Sequence, residues 1–218
     1  MEILRDKAIM LRVRNPKQIT TAIPNSKELP MNKVVVKWGL DEVLSLRSLN
    51  INAPSPITKR YSWPGQYTPF DHQKDTASFM TLNKKSFCFN EQGTGKTASA
   101  IWAADYLMTQ GKVKRVLVVC PLSIMDSAWR NDLFSFAMHR TVDVAHGSKQ
   151  KRKKIINSGA EFVIINYDGV EVVRDEIAAG GFDLFIVDEA THYKNAQTKR
   201  WKTLNKLVGE NDWLWLMT

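Results

Sequence analysis

At 218 residues, 44% apolar and 24% charged, the chain has the composition of a globular protein with room for one full domain and a small one. No apolar run approaches the roughly 20 residues of a membrane span, and residues 1–6 lack the layout of a signal peptide, so a cytoplasmic protein with no membrane partner is expected. The net charge of +9 suits a polyanion partner, and the two cysteines, Cys88 and Cys120, read as buried thiols in a reducing compartment.

Residues 1–65 read as a small α/β accessory unit. Strand patterns fall at 8–13 and 33–38, and a short helix pattern at 41–49 opens on Asp41. Proline-rich Ala53-Pro54-Ser55-Pro56 and then Trp63-Pro64-Gly65 mark a linker. No motif of nameable chemistry lies in this unit. From residue 66 to 218 helix and strand alternate. Helices are expected at 71–82, 96–108, 124–137, 148–157, 169–178 and 198–208. Strands are expected at 86–89, 115–120, 141–145, 161–166, 184–187 and 213–217. This alternation predicts an α/β fold with a mostly parallel sheet flanked by helices on both faces. The last six residues read as a buried strand with no closing element, which predicts a fragment of a longer protein.

Two motifs carry chemistry. Asn90-Glu91-Gln92-Gly93-Thr94-Gly95-Lys96-Thr97 follows an apolar run and opens a helix. Strand, glycine-rich turn and helix make a phosphate-binding loop. Gly93 and Gly95 let backbone amides turn inward, and the helix start adds its positive end. Lys96 can reach terminal phosphates, and the Thr97 hydroxyl can hold magnesium. Asn90 stands where the strict pattern has glycine. The second motif is Asp188-Glu189-Ala190, which ends an apolar strand. The C-terminal end of such a strand faces the ligand crevice of an α/β sheet. Asp188 there can hold magnesium, and Glu189 can polarise an attacking water.

With these residues in view, residues 66–218 resemble the first RecA-like lobe of the Swi/Snf-type DNA translocases of helicase superfamily two. Pro69-Phe70-Asp71-His72-Gln73 is similar to the family's adenine-recognising motif, with Gln73 as the reader of the base. The Glu-Gln-Gly-Thr form of the phosphate loop, with Thr94, is similar to bacterial and bacteriophage members. Cys120-Pro121-Leu122-Ser123, followed by Trp129 and Asp132, resembles a DNA-backbone motif. Its Pro, Ser and Trp spacing separates this family from RNA helicases. Trp129 itself reads as core. Asn166-Tyr167-Asp168 lies where relatives place another DNA contact. Asp188 to Asn195 resembles the acidic motif and its basic tail, with Thr191 where many relatives have histidine. Leu216-Met217-Thr218 resembles the start of a further motif.

The resemblance implies ATP and Mg2+ as cofactors. It implies double-stranded or branched DNA as a partner of a monomeric motor, together with a second RecA-like lobe that supplies arginines to the site. A lobe alone is then expected to be nearly inactive, since such arginines are worth roughly three to five orders of magnitude in rate. Lys96, Asp188 and Glu189 are the expected catalytic residues; Gln73, Gly93, Thr94, Gly95, Lys96 and Thr97 the nucleotide contacts; Thr97 and Asp188 the magnesium holders. Ser123, Tyr167, Lys194 and Lys199 are the expected DNA contacts. A rival basic cluster runs through Lys149, Lys151, Arg152, Lys153 and Lys154. The alternatives are an RNA or single-strand helicase lobe, against which the Pro-Ser-Trp pattern counts, and a non-catalytic DNA-binding or regulatory fragment, against which intact Lys96, Asp188 and Glu189 count. Localisation follows as cytoplasmic, at the nucleoid or in a bacteriophage's host.

Overall fold

Residues 1–218 are all described in a computed structural model of the chain. They divide into two units, Met1–Ser62 and Trp63–Thr218. The expected boundary lay just after Gly65. Trp63, Pro64 and Gly65 instead join the second unit, because a buried indole N–H needs an acceptor. Trp102 Nε1 donates to the Pro64 carbonyl at 2.9 Å, and the Trp63 ring meets Trp102 edge-on at 5.6 Å.

The first unit holds β1 (Glu2–Leu4), β2 (Ala8–Arg12), α1 (Pro16–Ala22), β3 (Ser26–Leu29), β4 (Lys33–Lys37), α2 (Leu40–Ser48) and α3 (Ile57–Arg60). Its sheet runs β1-β2-β4-β3 and is antiparallel throughout. Ile9, Leu11, Val34 and Val36 line one face and share the core with Ile19, Ile23, Val43 and Leu46. Sequence patterns anticipated β2, β4 and α2 but neither β1 nor β3. The hairpin turns explain why. Arg5 and Asp6 (φ 49 and 52) and Met31 and Asn32 (φ 62 and 57) are left-handed at paired central positions. Each hairpin is closed by three residues, since Leu4 pairs with Ala8 and Leu29 with Lys33, and glycine is the residue that usually advertises such left-handed positions. Neither turn contains one.

The second unit holds α4 (Asp71–Leu82), β5 (Lys85–Cys88), α5 (Lys96–Thr109), β6 (Val116–Cys120), α6 (Asn131–Phe136), β7 (Val142–Ala145), α7 (Lys149–Ile156), β8 (Phe162–Asn166), α8 (Tyr167–Val172), α9 (Arg174–Ala179), β9 (Leu184–Val187), α10 (Lys199–Leu207) and β10 (Trp213–Met217). Its six strands are all parallel, in the order β5-β10-β9-β6-β8-β7. The expected mostly parallel sheet flanked by helices is therefore present. Strands β6 and β9 are buried along their whole length, as a sheet covered on both faces requires.

Two expected helices are broken. Instead of one helix at 124–137, the chain makes a 3-10 turn (Leu122–Ile124), a π-helical stretch (Met125–Arg130) and then α6. Residues spaced by four share one face along such a segment, as they do in an α-helix. Met125, Trp129 and Leu133 have that spacing and are all buried. The helix expected at 169–178 splits into α8 and α9 at Val173, whose φ of −125 and ψ of 33 leave the helical region.

A charged pin ties α5, the helix after the phosphate loop, to the far edge of the sheet. Arg140 Nε donates to buried Asp105 at 2.6 Å, and its Nη1 donates to Glu161 at 2.8 Å. His139 lies 2.8 Å from the same Asp105 oxygen. Burial alone would raise the pKa of Glu161. The Thr141 amide and the Arg140 guanidinium outweigh burial and hold it below the ordinary carboxylate value.

Arg140→Met should therefore destabilise the chain by about 3 kcal/mol, since Asp105 stays buried without its guanidinium. Denaturant melts at neutral pH measure this. Glu161→Gln should also cost stability at neutrality, and that cost should shrink in acid. A lowered native pKa stabilises the fold above the unfolded value of 4.5, and the contribution is lost as pH falls through the native value. A Glu161→Gln penalty unchanged in acid would contradict the assigned pin.

Candidate nucleotide site

Because the strands are parallel, their C-terminal ends share one edge. The loops at 90–95, 121–124 and 188–193, together with Tyr167, emerge there. Strand β10 sets their height. Leu216 pairs with Phe87 of β5 on one side and Val187 of β9 on the other, and Met217 pairs with Cys88. Asp188, the next residue after Val187, therefore stands level with the end of β5.

The phosphate loop has the geometry the sequence anticipates. Gly93 (φ 81) and Gly95 (φ 76) are left-handed, and Gly95 caps the start of α5. A Cβ at Gly95 would meet the end of the Gln73 side chain, which would have to move, and the left-handed φ strains any side chain there. Lys96 folds back over the loop, and its Nζ donates to the carbonyls of Asn90 at 2.9 Å and Glu91 at 3.1 Å. An incoming phosphate would replace those two acceptors. Asn90 ties the loop to α4 through a 2.8 Å bond to the Thr76 hydroxyl. Thr97 lies half-buried in the first turn of α5.

Gln73, the expected base reader, is committed to the protein itself. Its Oε1 accepts the Phe70 amide at 2.9 Å, and its Nε2 donates to the Thr94 carbonyl at 3.3 Å. His72 reaches the same carbonyl at 3.1 Å. Here Gln73 buttresses the phosphate loop, beside a depression lined by His72, Thr76, Asn90 and Thr94.

Asp188 is buried and held from three sides. Trp129 Nε1 donates to its Oδ2 at 2.9 Å, the Glu189 amide donates to Oδ1 at 3.0 Å, and the Tyr167 hydroxyl donates to its main-chain carbonyl at 2.7 Å. Burial raises the Asp188 pKa, while the Trp129 and Glu189 donors and nearby Lys96 oppose that. Glu189 is exposed and left-handed, at φ 50 and ψ 53. That backbone is strained for a glutamate, by roughly 1–3 kcal/mol, and it turns the side chain away from the strand direction. Both cysteines are buried free thiols. Burial, and after it Asp188, pushes Cys120 up to about 12.

The residues expected to meet DNA separate into two groups. Ser123, in the 3-10 turn, and Lys194 are exposed. Lys199 is exposed too, although it pairs with Glu171 at 3.2 Å. Tyr167 is the exception and needs correction. It is only 8% exposed, with its hydroxyl spent on Asp188 and its ring packed on His192 at 4.9 Å and Tyr193 at 5.7 Å. It supports the acidic strand end and does not present itself to a ligand. The exposed His192 packs on that ring.

Trp129 is the residue the sequence undervalued. It is core, as expected, but its one polar atom holds Asp188. A signal was available: a buried tryptophan must find an acceptor, and the acidic strand end supplies one.

Comparison with known proteins agrees with this architecture. A family described as SNF2-related domain matches residues 72–217. A Bacillus subtilis protein described as uncharacterized ATP-dependent helicase YqhH is 27% identical over 146 residues, covering 65% of this chain and 25% of the relative. The ATP-dependent helicase fft2 of Schizosaccharomyces pombe is 30% identical over 209 residues, covering 81% of this chain and 16% of the relative. The chain thus spans a quarter or less of those two relatives. The solved Sulfolobus solfataricus SWI2/SNF2 ATPase core in complex with dsDNA shares the fold, with a TM-score of 0.62 and 23% identity over 72% of this chain and 33% of that one. The match over most of the second unit, on a RecA-like sheet that carries a phosphate loop level with an acidic pair, means that the chain belongs to the SNF2-related family, as the SNF2-type ATPase domain of a helicase-like protein.

Proposed function

We propose that this chain is the first motor lobe of an ATP-dependent translocase on double-stranded DNA, nearly inactive in hydrolysis without a second lobe. The observation that carries this reading is the alignment, through β10, of the phosphate loop with Asp188 and Glu189. Lys96 is the only cation of that loop, and it rests on carbonyls that a nucleotide phosphate can displace. The donor set suits Mg2+. Asp188 has one oxygen engaged only by the amide of its neighbour, and Thr97 offers a hydroxyl at the helix start, a hard-oxygen pair of the kind magnesium takes beside phosphates. When bound, the ion neutralises charge on the nucleotide's terminal oxygens. Glu189, exposed beside Asp188, is placed to orient water.

Mg-ADP should raise the melting midpoint, because a ligand that binds only the native state stabilises it. Lys96→Ala should abolish the rise. An equal rise in Lys96→Ala, or none in the native sequence, would overturn the nucleotide assignment. Trp129→Phe keeps an aromatic side chain, smaller than the indole, and removes the donor to Asp188. It should weaken the magnesium-dependent part of nucleotide binding by roughly tenfold. Binding in EDTA should be unchanged, and an equal loss in both conditions would mark Trp129 as packing alone.

Hydrolysis by the chain alone should be barely above background with or without duplex DNA, as judged by phosphate release. Fast turnover that disappears in Glu189→Gln would show that one lobe suffices.

A further inference from the structure

The first unit carries most of the net charge. Residues 1–62 hold eleven basic and five acidic side chains, a net +6 of the chain's +9. Their placement matters more than their number. In β2 and β4 the core takes Ile9, Leu11, Val34 and Val36. The residues between these point to the opposite face of the sheet. Register sets Arg12 beside Lys33, and Lys37 beside Ala8. It also sets Lys27 beside Val35. Four cations thus share the open face, with Met10 and Val35 half-buried among them. The acidic residue on that face is Glu2, opposite Met10 at the far strand.

None of these four cations forms an ion pair. In the second unit several cations are already paired: Lys199 with Glu171, Arg200 with Asp168, Lys153 with Glu176, and Arg140 with Asp105 and Glu161. Charge left unneutralised on one flat face is matched to an extended polyanion. Lys33 and Lys37 lie four residues apart on one strand, roughly 13 Å, or about four nucleotides of axial rise. The face carries no aromatic side chain, since Trp38 is buried in the core. Single-strand binders stack bases on aromatic platforms, and this surface offers none. It offers point charges for phosphates.

We propose that the open sheet face of the first unit, with Arg12, Lys27, Lys33 and Lys37, binds the sugar–phosphate backbone of duplex DNA as a contact additional to the motor lobe. The surface stands on its own geometry; the choice of DNA as occupant rests on the translocase function proposed above. Such binding is indifferent to sequence and releases counterions.

Fluorescence anisotropy of a short labelled duplex, titrated with the full chain at several salt concentrations, tests it. Arg12→Gln/Lys27→Gln/Lys37→Gln should lower affinity and flatten the salt dependence by about 0.9 per lost phosphate contact, close to three in all. The Mg-ADP melting shift should stay unchanged, and a duplex of shuffled sequence should bind as well as the original. If the triple variant melts early, Lys33→Gln and Lys37→Gln singly should each remove about one unit of slope. A triple variant that binds like the native chain, while Lys194→Gln/Lys199→Gln weakens binding, overturns this surface and leaves the motor-lobe reading intact. No duplex binding by the native chain overturns both. Binding to phosphatidylserine vesicles that depends on the same cations and that duplex cannot displace assigns the face to a lipid surface instead. Preference for a single strand over the duplex also overturns the proposal.

Discussion

The site depends on where β10 lies. The strand that starts the phosphate loop and the strand that ends in the acidic pair do not touch each other. Strand β10 stands between them and pairs with both, so residue 216 sets the level of Phe87 and of Val187 at once. The pairing with β5 closes a loop of well over a hundred residues along the chain, the kind of contact whose entropy must be met before any reward arrives. Buried Trp213, Trp215 and Met217 supply that reward by filling one face of the strand. An apolar segment far from any chemistry in the sequence is therefore what gives the chemistry its geometry.

Much of this was legible because periodicity and glycine placement are local. All six strands of the second unit and the phosphate-loop helix follow from apolar runs and turn residues within a few positions of them. What was illegible depended on three dimensions. The π-helical stretch has no local mark, although Met125 and Trp129 in it and Leu133 in α6 are all buried. The hairpins of the first unit turn on Arg5-Asp6 and Met31-Asn32, where the packed sheet imposes left-handed backbone on residues that do not announce it. Tyr167 was misplaced for a related reason. Its position after β8 is the right one for a ligand contact, but the Asp188 carbonyl lies nearer to its hydroxyl than solvent does.

Charge shows the same limit. In the sequence the dense runs at 149–154 and 194–202 dominate the eye. In the fold, several of those cations are already occupied. Arg152 is bonded to the Ala145 carbonyl at 2.9 Å and to Asn166 at 2.8 Å, which fixes the edge of the sheet. Lys153, Lys199 and Arg200 each have a carboxylate. Ion pairs between exposed groups contribute little stability, but they do remove charge from a surface that must attract phosphates. The scattered basic residues of the first unit made no run, yet alternation along β2 and β4 gathers them on one face.

The connection between the turn that carries Ser123 and the Asp188 carboxylate is short. Ser123 sits in the 3-10 turn, and its carbonyl accepts the Ser127 hydroxyl at 2.9 Å within the stretch that carries Trp129. Trp129 in turn donates to Asp188. A backbone contact that shifts this stretch acts directly on the donor that fixes one carboxylate oxygen. On the other side, Tyr167 holds the Asp188 carbonyl, with His192 against its ring and the Arg200 guanidinium 5.6 Å from the ring centre. Asp188 is thus gripped by two segments that both emerge at the proposed DNA edge.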